Sequence, residues 1–278
     1  MVPPFMNPHN DRLPLPMSRE EMRQRGWTQC DIVLVSGDAY VDHPSFAMAL
    51  LGRVLIQQGL RTGIVTQPRW TGPEDLAVMG RPRLFAGVSA GAIDSMLAHY
   101  TAFRKKRSED AYTPGGLAGA RPNRACIVYT NLLRRAFPGL PVVLGGIEAS
   151  LRRITHYDFW TDALRKPILL DAKADAVVYG MGERALLDIA LRLERGSDLT
   201  GIPGTVTAPT GAAAEAVDAD IIFPGHEEIV ADPKLLMRAT LLMEKQVHDG
   251  TDRAVQRVGD RVVVFGSFHT VGPALSCV

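Results

Sequence analysis

Short β-branched, aliphatic runs that end in glycine, serine or aspartate alternate with stretches of helical periodicity through residues 27–197, and this alternation restricts the chain to an α/β fold. Residues 30–35 (CDIVLV) form an apolar, β-branched run, the pattern of a strand buried on both faces, and Ser36-Gly37-Asp38 closes it. Residues 44–58 then set Phe46, Ala49, Leu50, Val54 and Ile56 largely on one helical face, and Gly59 supplies the stop. Further strands are predicted over 60–67, 84–88, 141–144 and 174–179, interleaved with helices over 73–79, 92–104, 125–137 and 184–194. Five strands joined by right-handed crossovers predict a doubly wound, mainly parallel, Rossmann-like sheet whose strand order the periodicity does not encode.

Three segments stand apart from that pattern. Residues 1–26 read as a proline-rich arm lying on the surface or on a partner, followed by a short helix that opens with the capping-box spacing of Ser18 and Glu21. Residues 104–124 (RKKRSEDAYTPGGLAGARPNR) make a loop too long to be a simple connector. Residues 198–278 read as a linker low in large apolar residues and then a partly ordered extension, with a helix over 233–247 and a strand over 261–265, too few elements to bury a core alone.

Charge and cysteine usage narrow the function classes. With 31 basic against 30 acidic residues, a net charge of +1 and no long basic block, the chain has no electrostatic footprint for nucleic acid or an anionic membrane. A small-molecule ligand or a protein contact is the expected partner. The amino-terminal segment carries prolines and charges where a secretory signal needs an apolar core, and no run of about 18 apolar residues follows, so a soluble, cytoplasmic protein is expected. Cys30, Cys126 and Cys277 are widely separated, which yields neither a disulfide framework nor a Cys-x-x-Cys metal site.

In open α/β sheets ligands bind beyond the carboxyl ends of the strands, and that rule nominates the loops where chemistry could sit. Asp38, Asp42 and His43 follow the first strand and could orient a ligand or exchange protons, although Asp42 or Ser45 could equally cap the next helix. Gly87-Val88-Ser89-Ala90-Gly91 is a literal G-x-S-x-G between strand and helix, the setting of a hydrolase nucleophile elbow. The alternative is that its glycines serve the turn alone. Gly145, Gly146 and Glu148 form a turn that admits close backbone approach by a ligand, and Gly182 with Glu183 repeats the device before the last helix of the block. No G-x-G-x-x-G follows the first strand, which argues against dinucleotide binding. Residues 150–162 (SLRRITHYDFWTD) concentrate arginines and aromatics, either as a docking face or as a self-satisfied core with arginine paired to aspartate.

Taken together, VSGDAYVDHPSFAMAL, DAYTP, VVLGGIEASLRRITHYDFW and KADAVVYGMGERAL resemble the YgiQ-type radical SAM proteins, over nearly the whole chain. The resemblance implies a cobalamin-binding-like, Rossmann-like amino-terminal domain preceding a radical SAM barrel, the chain's partner within one polypeptide. There a Cys-x3-Cys-x2-Cys loop holds a 4Fe-4S cluster that cleaves S-adenosylmethionine. That motif does not occur among the three cysteines, so the chain is expected to act as an accessory domain without its own catalysis. The family pattern fails after Phe265, and a truncated or frameshifted product or a fragment is inferred. The resemblance extends to cofactor contacts at the turns Gly145-Gly146 and Gly180 to Glu183. Because Asp42 and His43 are adjacent, an axial histidine does not carry over; cobalamin held without a histidine and an empty vestige both stand, the vestige being favoured. The competing readings are a serine hydrolase using Ser89 and a non-catalytic docking module.

Overall fold

The computed structural model describes residues 13–39, 46–210, 218–249, 254–259 and 261–265. Packing groups the chain into two compact units, residues 1–148 and 149–278.

The first unit is built on four strands, β1 (Ile32–Ser36), β2 (Thr62–Thr66), β3 (Phe85–Ser89) and β4 (Val142–Gly145), in the order β2-β1-β3-β4. Every described pair among them is parallel. All five residues of β1 are buried, as an unbroken apolar run requires, and each fully buried aliphatic side chain contributes about 1.5–3 kcal/mol. Helices α1 (Arg19–Gln24), α2 (Phe46–Gln57), α3 (Ser95–His99) and α4 (Ala125–Ala136) connect or precede the strands, and α5 (Gly146–Leu151) starts directly from β4. The Ser18 side chain caps α1 by accepting the Glu21 N–H, while the Glu21 carboxylate reaches the Met17 N–H at 2.7 Å.

Two local expectations of this region change. The described end of the arm is not laid on the surface: Leu15 is buried against Gly52, where a Cβ would meet its side chain, and the Pro16 carbonyl accepts the Ile64 N–H at 2.9 Å. The helix over 92–104 shrinks to the five residues of α3, because Asp94 caps it at one end and Tyr100 turns extended at the other. The long loop holds a short 3-10 turn at Pro114–Gly116.

The second unit contains a hairpin of β5 (His156–Asp158) and β6 (Ala163–Arg165), then α6 (Ile168–Asp171), β7 (Ala176–Val178), α7 (Glu183–Glu194), β8 (Thr205–Thr207), β9 (Ile221–Phe223), α8 (His226–Ala231), α9 (Leu235–Asp249), β10 (Ala254–Val258) and β11 (Arg261–Phe265). Its larger sheet runs β7-β8-β11-β10-β9, with one parallel pair, β9 with β10, and the rest antiparallel. The α/β class stands, with a mainly parallel arrangement in the first unit, but the strands exceed the expected five. The segment read as a linker contributes β8, whose Thr-Val-Thr is wholly buried. The extension also carries a core, including Val206, Phe223, Ile229, Ala239, Val258 and Val263.

Candidate functional site

β2 and β3 flank β1 on opposite sides, so the strand order reverses at β1, the topological switch point of an open α/β sheet. Register aligns Thr66, Ser36, Ser89 and Gly145 in one row at the carboxyl ends of the four strands. The crevice the rule nominates therefore lies beyond Ser36 and Ser89.

That place is taken by the protein's own charged residues. Arg121, from the long loop, is completely buried. Its Nη1 lies 2.6 Å from Asp38 Oδ1 and donates to the Ala90 carbonyl at 2.9 Å, while Nε and Nη2 grip the two oxygens of Asp110 at 2.9 and 3.0 Å. Asp38 Oδ2 also accepts the Ala92 N–H at 2.6 Å. The Tyr112 ring lies 5.5 Å from the guanidinium carbon, and the Tyr112 carbonyl accepts the Ala39 N–H at 3.0 Å, which ties the loop to the end of β1. Burial pushes the Asp38 carboxyl above the usual carboxylate range and the nearby Asp110 charge adds to this, against the pull of the Ala92 N–H and Arg121.

Glycines let the loops interlock. Gly91 has φ +110°, and a Cβ there would collide with the Asp38 carboxylate. Gly146 has φ +78°, and a Cβ there would meet Ser89 Oγ. The close approach expected at Gly145-Gly146 is thus used by Ser89 rather than left open to a ligand. Ser89 itself is buried; its hydroxyl accepts the Gly91 N–H at 3.1 Å and lies 3.3 Å from the Gly91 carbonyl. It has no histidine partner among the described residues, and its φ is not in the left-handed region, so the nucleophile-elbow arrangement is not formed.

Glu148 is also buried, and it closes two helices at once. Oε2 accepts the Ser95 N–H and hydroxyl at 2.9 and 2.5 Å, at the start of α3, and Oε1 accepts the Cys126 N–H at 3.0 Å, in the first turn of α4. The Ser95 hydroxyl in turn accepts the Ala125 N–H at 3.1 Å. Arg124, at the capping position of α4, makes no side-chain cap, which is why the acceptor comes from elsewhere in the chain. Asp42 and His43 lie outside the described residues.

In the second unit, Gly182 caps α7 without a side chain, and Glu183 occupies the first turn, half-buried. The aromatic and basic segment forms the β5–β6 hairpin. Asp158 accepts the Trp160 N–H at 3.2 Å and the Thr161 hydroxyl at 2.7 Å, and Arg165 pairs with Asp171 at 2.9 Å, so much of the segment is satisfied locally. The imidazole of His156 lies with Nδ1 3.1 Å from the Ile154 carbonyl; burial, the largest influence, holds its pKa below the usual histidine value. A buried network joins Thr155, Gln256 and His226, in which Gln256 Oε1 accepts the Thr155 N–H at 2.9 Å and His226 Nδ1 lies 3.1 Å from the Thr155 hydroxyl. Sequence reading singled out neither Arg121 nor this network, since isolated polar residues in loops and short strands carry no periodic signal.

A family model described as "Radical SAM N-terminal" matches residues 14–270. The chain belongs to the radical SAM N-terminal family. Among curated proteins it is 52% identical over 228 residues to a UPF0313 protein of Thermotoga maritima, covering 82% of this chain and 40% of that one. A UPF0313 protein of Geobacter sulfurreducens is 51% identical over 255 residues, covering 90% and 42%, and one of Rhodopseudomonas palustris is 44% identical over 290 residues, covering 94% and 43%. The chain thus spans about two-fifths of the length of these relatives. It also resembles the radical S-adenosylmethionine methyltransferase TsrM of Kitasatospora setae. One TsrM structure holds tryptophan and a SAM analogue, with 21% identity over 63% of this chain and 28% of that one at a TM-score of 0.44. Another holds cobalamin and a [4Fe-4S] cluster, with 20% identity over 65% and 27% at a TM-score of 0.44.

The described cysteines of this radical SAM N-terminal chain do not fit a cluster. Cys30 precedes β1, at the amino side of the sheet, where burial pushes its thiol up to about 12. Cys126 sits with Glu148 beyond the opposite, carboxyl end of the strands. Among the described residues no group of three His, Cys, Asp or Glu could hold a metal ion, and no helix is long and apolar enough to cross a membrane.

Proposed function

We propose that this chain is the amino-terminal accessory part of a radical SAM protein, and that the cluster and S-adenosylmethionine chemistry belongs to sequence present in the longer relatives. The observation that carries this reading is one of proportion: the family model takes in residues 14–270, while the relatives extend to more than twice the matched length. A radical SAM catalyst needs three thiolates converging on one cluster. The two described cysteines stand at opposite ends of a sheet.

In this reading the domain contributes shape and contacts rather than reacting groups. The Asp38–Arg121–Asp110 cluster and the Glu148 cap fix the loops at the carboxyl ends of the strands, and the partner is the catalytic barrel of the same polypeptide. A substrate or cofactor would be contacted through side chains those loops present, with the reaction itself outside this chain.

The test is anaerobic reconstitution with iron and sulfide, run in parallel on this chain and on the full-length Thermotoga maritima relative. This chain should take up no stoichiometric cluster and release no 5′-deoxyadenosine from S-adenosylmethionine, whereas the relative should do both. A stoichiometric cluster on this chain alone would overturn the accessory role.

A further inference from the structure

Arg153 is more than nine-tenths buried, yet no carboxylate faces it among the described residues. Its Nη1 donates to the Ser150 carbonyl at 2.6 Å, and its guanidinium carbon lies 4.8 Å above the Tyr179 ring. Nε is buried with no hydrogen-bond partner, and Nη2 has none either among the described residues. The Nε–Nη2 edge is the fork that matches a carboxylate or phosphate with two parallel hydrogen bonds. Elsewhere in this protein that same edge is filled: Arg61 grips Asp31, Arg69 grips Asp75 and Arg121 grips Asp110. Arg153 is the most buried of these after Arg121, and it presents the same edge empty of an acid.

A buried charge without a counter-ion is unfavourable unless something pairs with it. Tyr179 does not serve, because burial holds its phenol up to about 12 and therefore neutral. Burial also pulls the Arg153 guanidinium below its usual value, with Tyr179 acting against it. Tyr179 ends the run that β7 begins and leads through Gly180-Met181-Gly182 into the 12-residue helix α7. The first turn of α7 has no side-chain cap, and its Glu183, Arg184 and Ala185 N–H groups find no acceptor among the described residues.

We propose that Arg153, stacked on Tyr179, binds the carboxylate or phosphate group of a small-molecule ligand through its free Nε–Nη2 edge, at the turn that leads into α7. This site goes beyond the accessory role and does not rest on it, since it concerns anion binding rather than cluster uptake.

The experiment follows the melting temperature of the full chain while inorganic phosphate, and separately acetate, replaces chloride at constant ionic strength. Wild type, Arg153→Met and Arg153→Lys are compared. At saturation at least one anion should raise the wild-type midpoint by about 3–5 °C, and the anion that does so tells phosphate from carboxylate. Arg153→Met should lose that shift while melting, without the anion, at or above the wild type, because an uncompensated buried charge has gone. Arg153→Lys keeps the charge but loses the fork, and its apparent affinity should fall about tenfold or more. No shift with either anion, or an equal shift in Arg153→Met, overturns the proposal. Should Arg153→Met fail to fold, an undiminished affinity in Arg153→Lys overturns it and a tenfold loss sustains it.

Discussion

The carboxylate of Glu148 meets the backbone N–H of Cys126 at 3.0 Å, so a residue of α5 closes the amino end of α4 across 22 positions of sequence. The same carboxylate serves Ser95 at the start of α3. Replacing it by alanine strands three buried donors, and Glu148→Ala should lower stability by about 3 kcal/mol, read as a shift in the urea midpoint with an unchanged slope. Glu148→Gln, which keeps one acceptor oxygen, should lose less. An Ala variant as stable as the wild type would remove the capping role.

Gly146 and Ser89 make a second prediction, because strain and crowding coincide there. Gly146→Ala must place a side chain at φ +78° and push its Cβ into Ser89 Oγ. A cost of about 2–3 kcal/mol is expected. Adding Ser89→Ala relieves the collision but not the φ, so the double variant should recover part of the loss and the two changes should fail to add. Simple additivity in chemical denaturation would show that the two residues do not interlock.

Arg121→Met would leave Asp38 and Asp110 buried without their shared counter-ion. Breaking a buried ion pair from one side costs about 3–5 kcal/mol, and the loss should be accompanied by proteolytic cleavage within residues 104–124. A stable, protease-resistant Arg121→Met protein would contradict the role given to the cluster.

Asp31 and Asp38 should titrate on opposite sides of the ordinary carboxyl value of 3.8. For Asp31, burial opposes ionisation, but hydrogen bonds from Arg61 and Arg83 outweigh it and lower the value. Its folded pKa lies below the unfolded one, so its stabilisation is complete above 3.8 and is lost as the pH falls through the folded value. For Asp38 the folded value is raised, the folded protein holds the proton more tightly, and this group's contribution declines as the pH rises from 3.8 through the folded value. Carboxyl carbon shifts followed from acid to neutral pH should give one midpoint below 3.8 and the other above. Asp31→Asn should flatten the acid limb of the stability profile.

Buried strands were the most legible part of the molecule. The runs at β1, β3 and β4 are apolar because both faces of a parallel strand are covered, and each was placed within two residues of its observed bounds. The β5–β6 hairpin and β8 escaped because they are three residues long and rich in polar or aromatic side chains, which leaves no periodicity to count. Gly145, Gly146, Ser89 and Glu148 lie at the carboxyl end of the first unit's strands, where the rule for open α/β sheets looks for ligand contacts, and that rule depends only on topology. What they do there was not visible: whether an acidic side chain faces a ligand or two helix ends depends on partners distant in sequence. One clue was available, for α4 starts after an arginine and so needs an acceptor from outside its own segment.

Arg121 also determines how its loop can come loose. The guanidinium touches Asp38 after β1, Ala90 after β3 and Asp110 within the loop itself, so three stretches of chain meet on one side chain. The contacts with Asp38 and Ala90 require β1 and β3 to have paired, whereas the Asp110 pair lies within the loop itself. Docking of residues 104–124 therefore waits on the strands, and the Arg121 anchor should give this long, glycine-rich loop slower amide exchange than its length alone would predict.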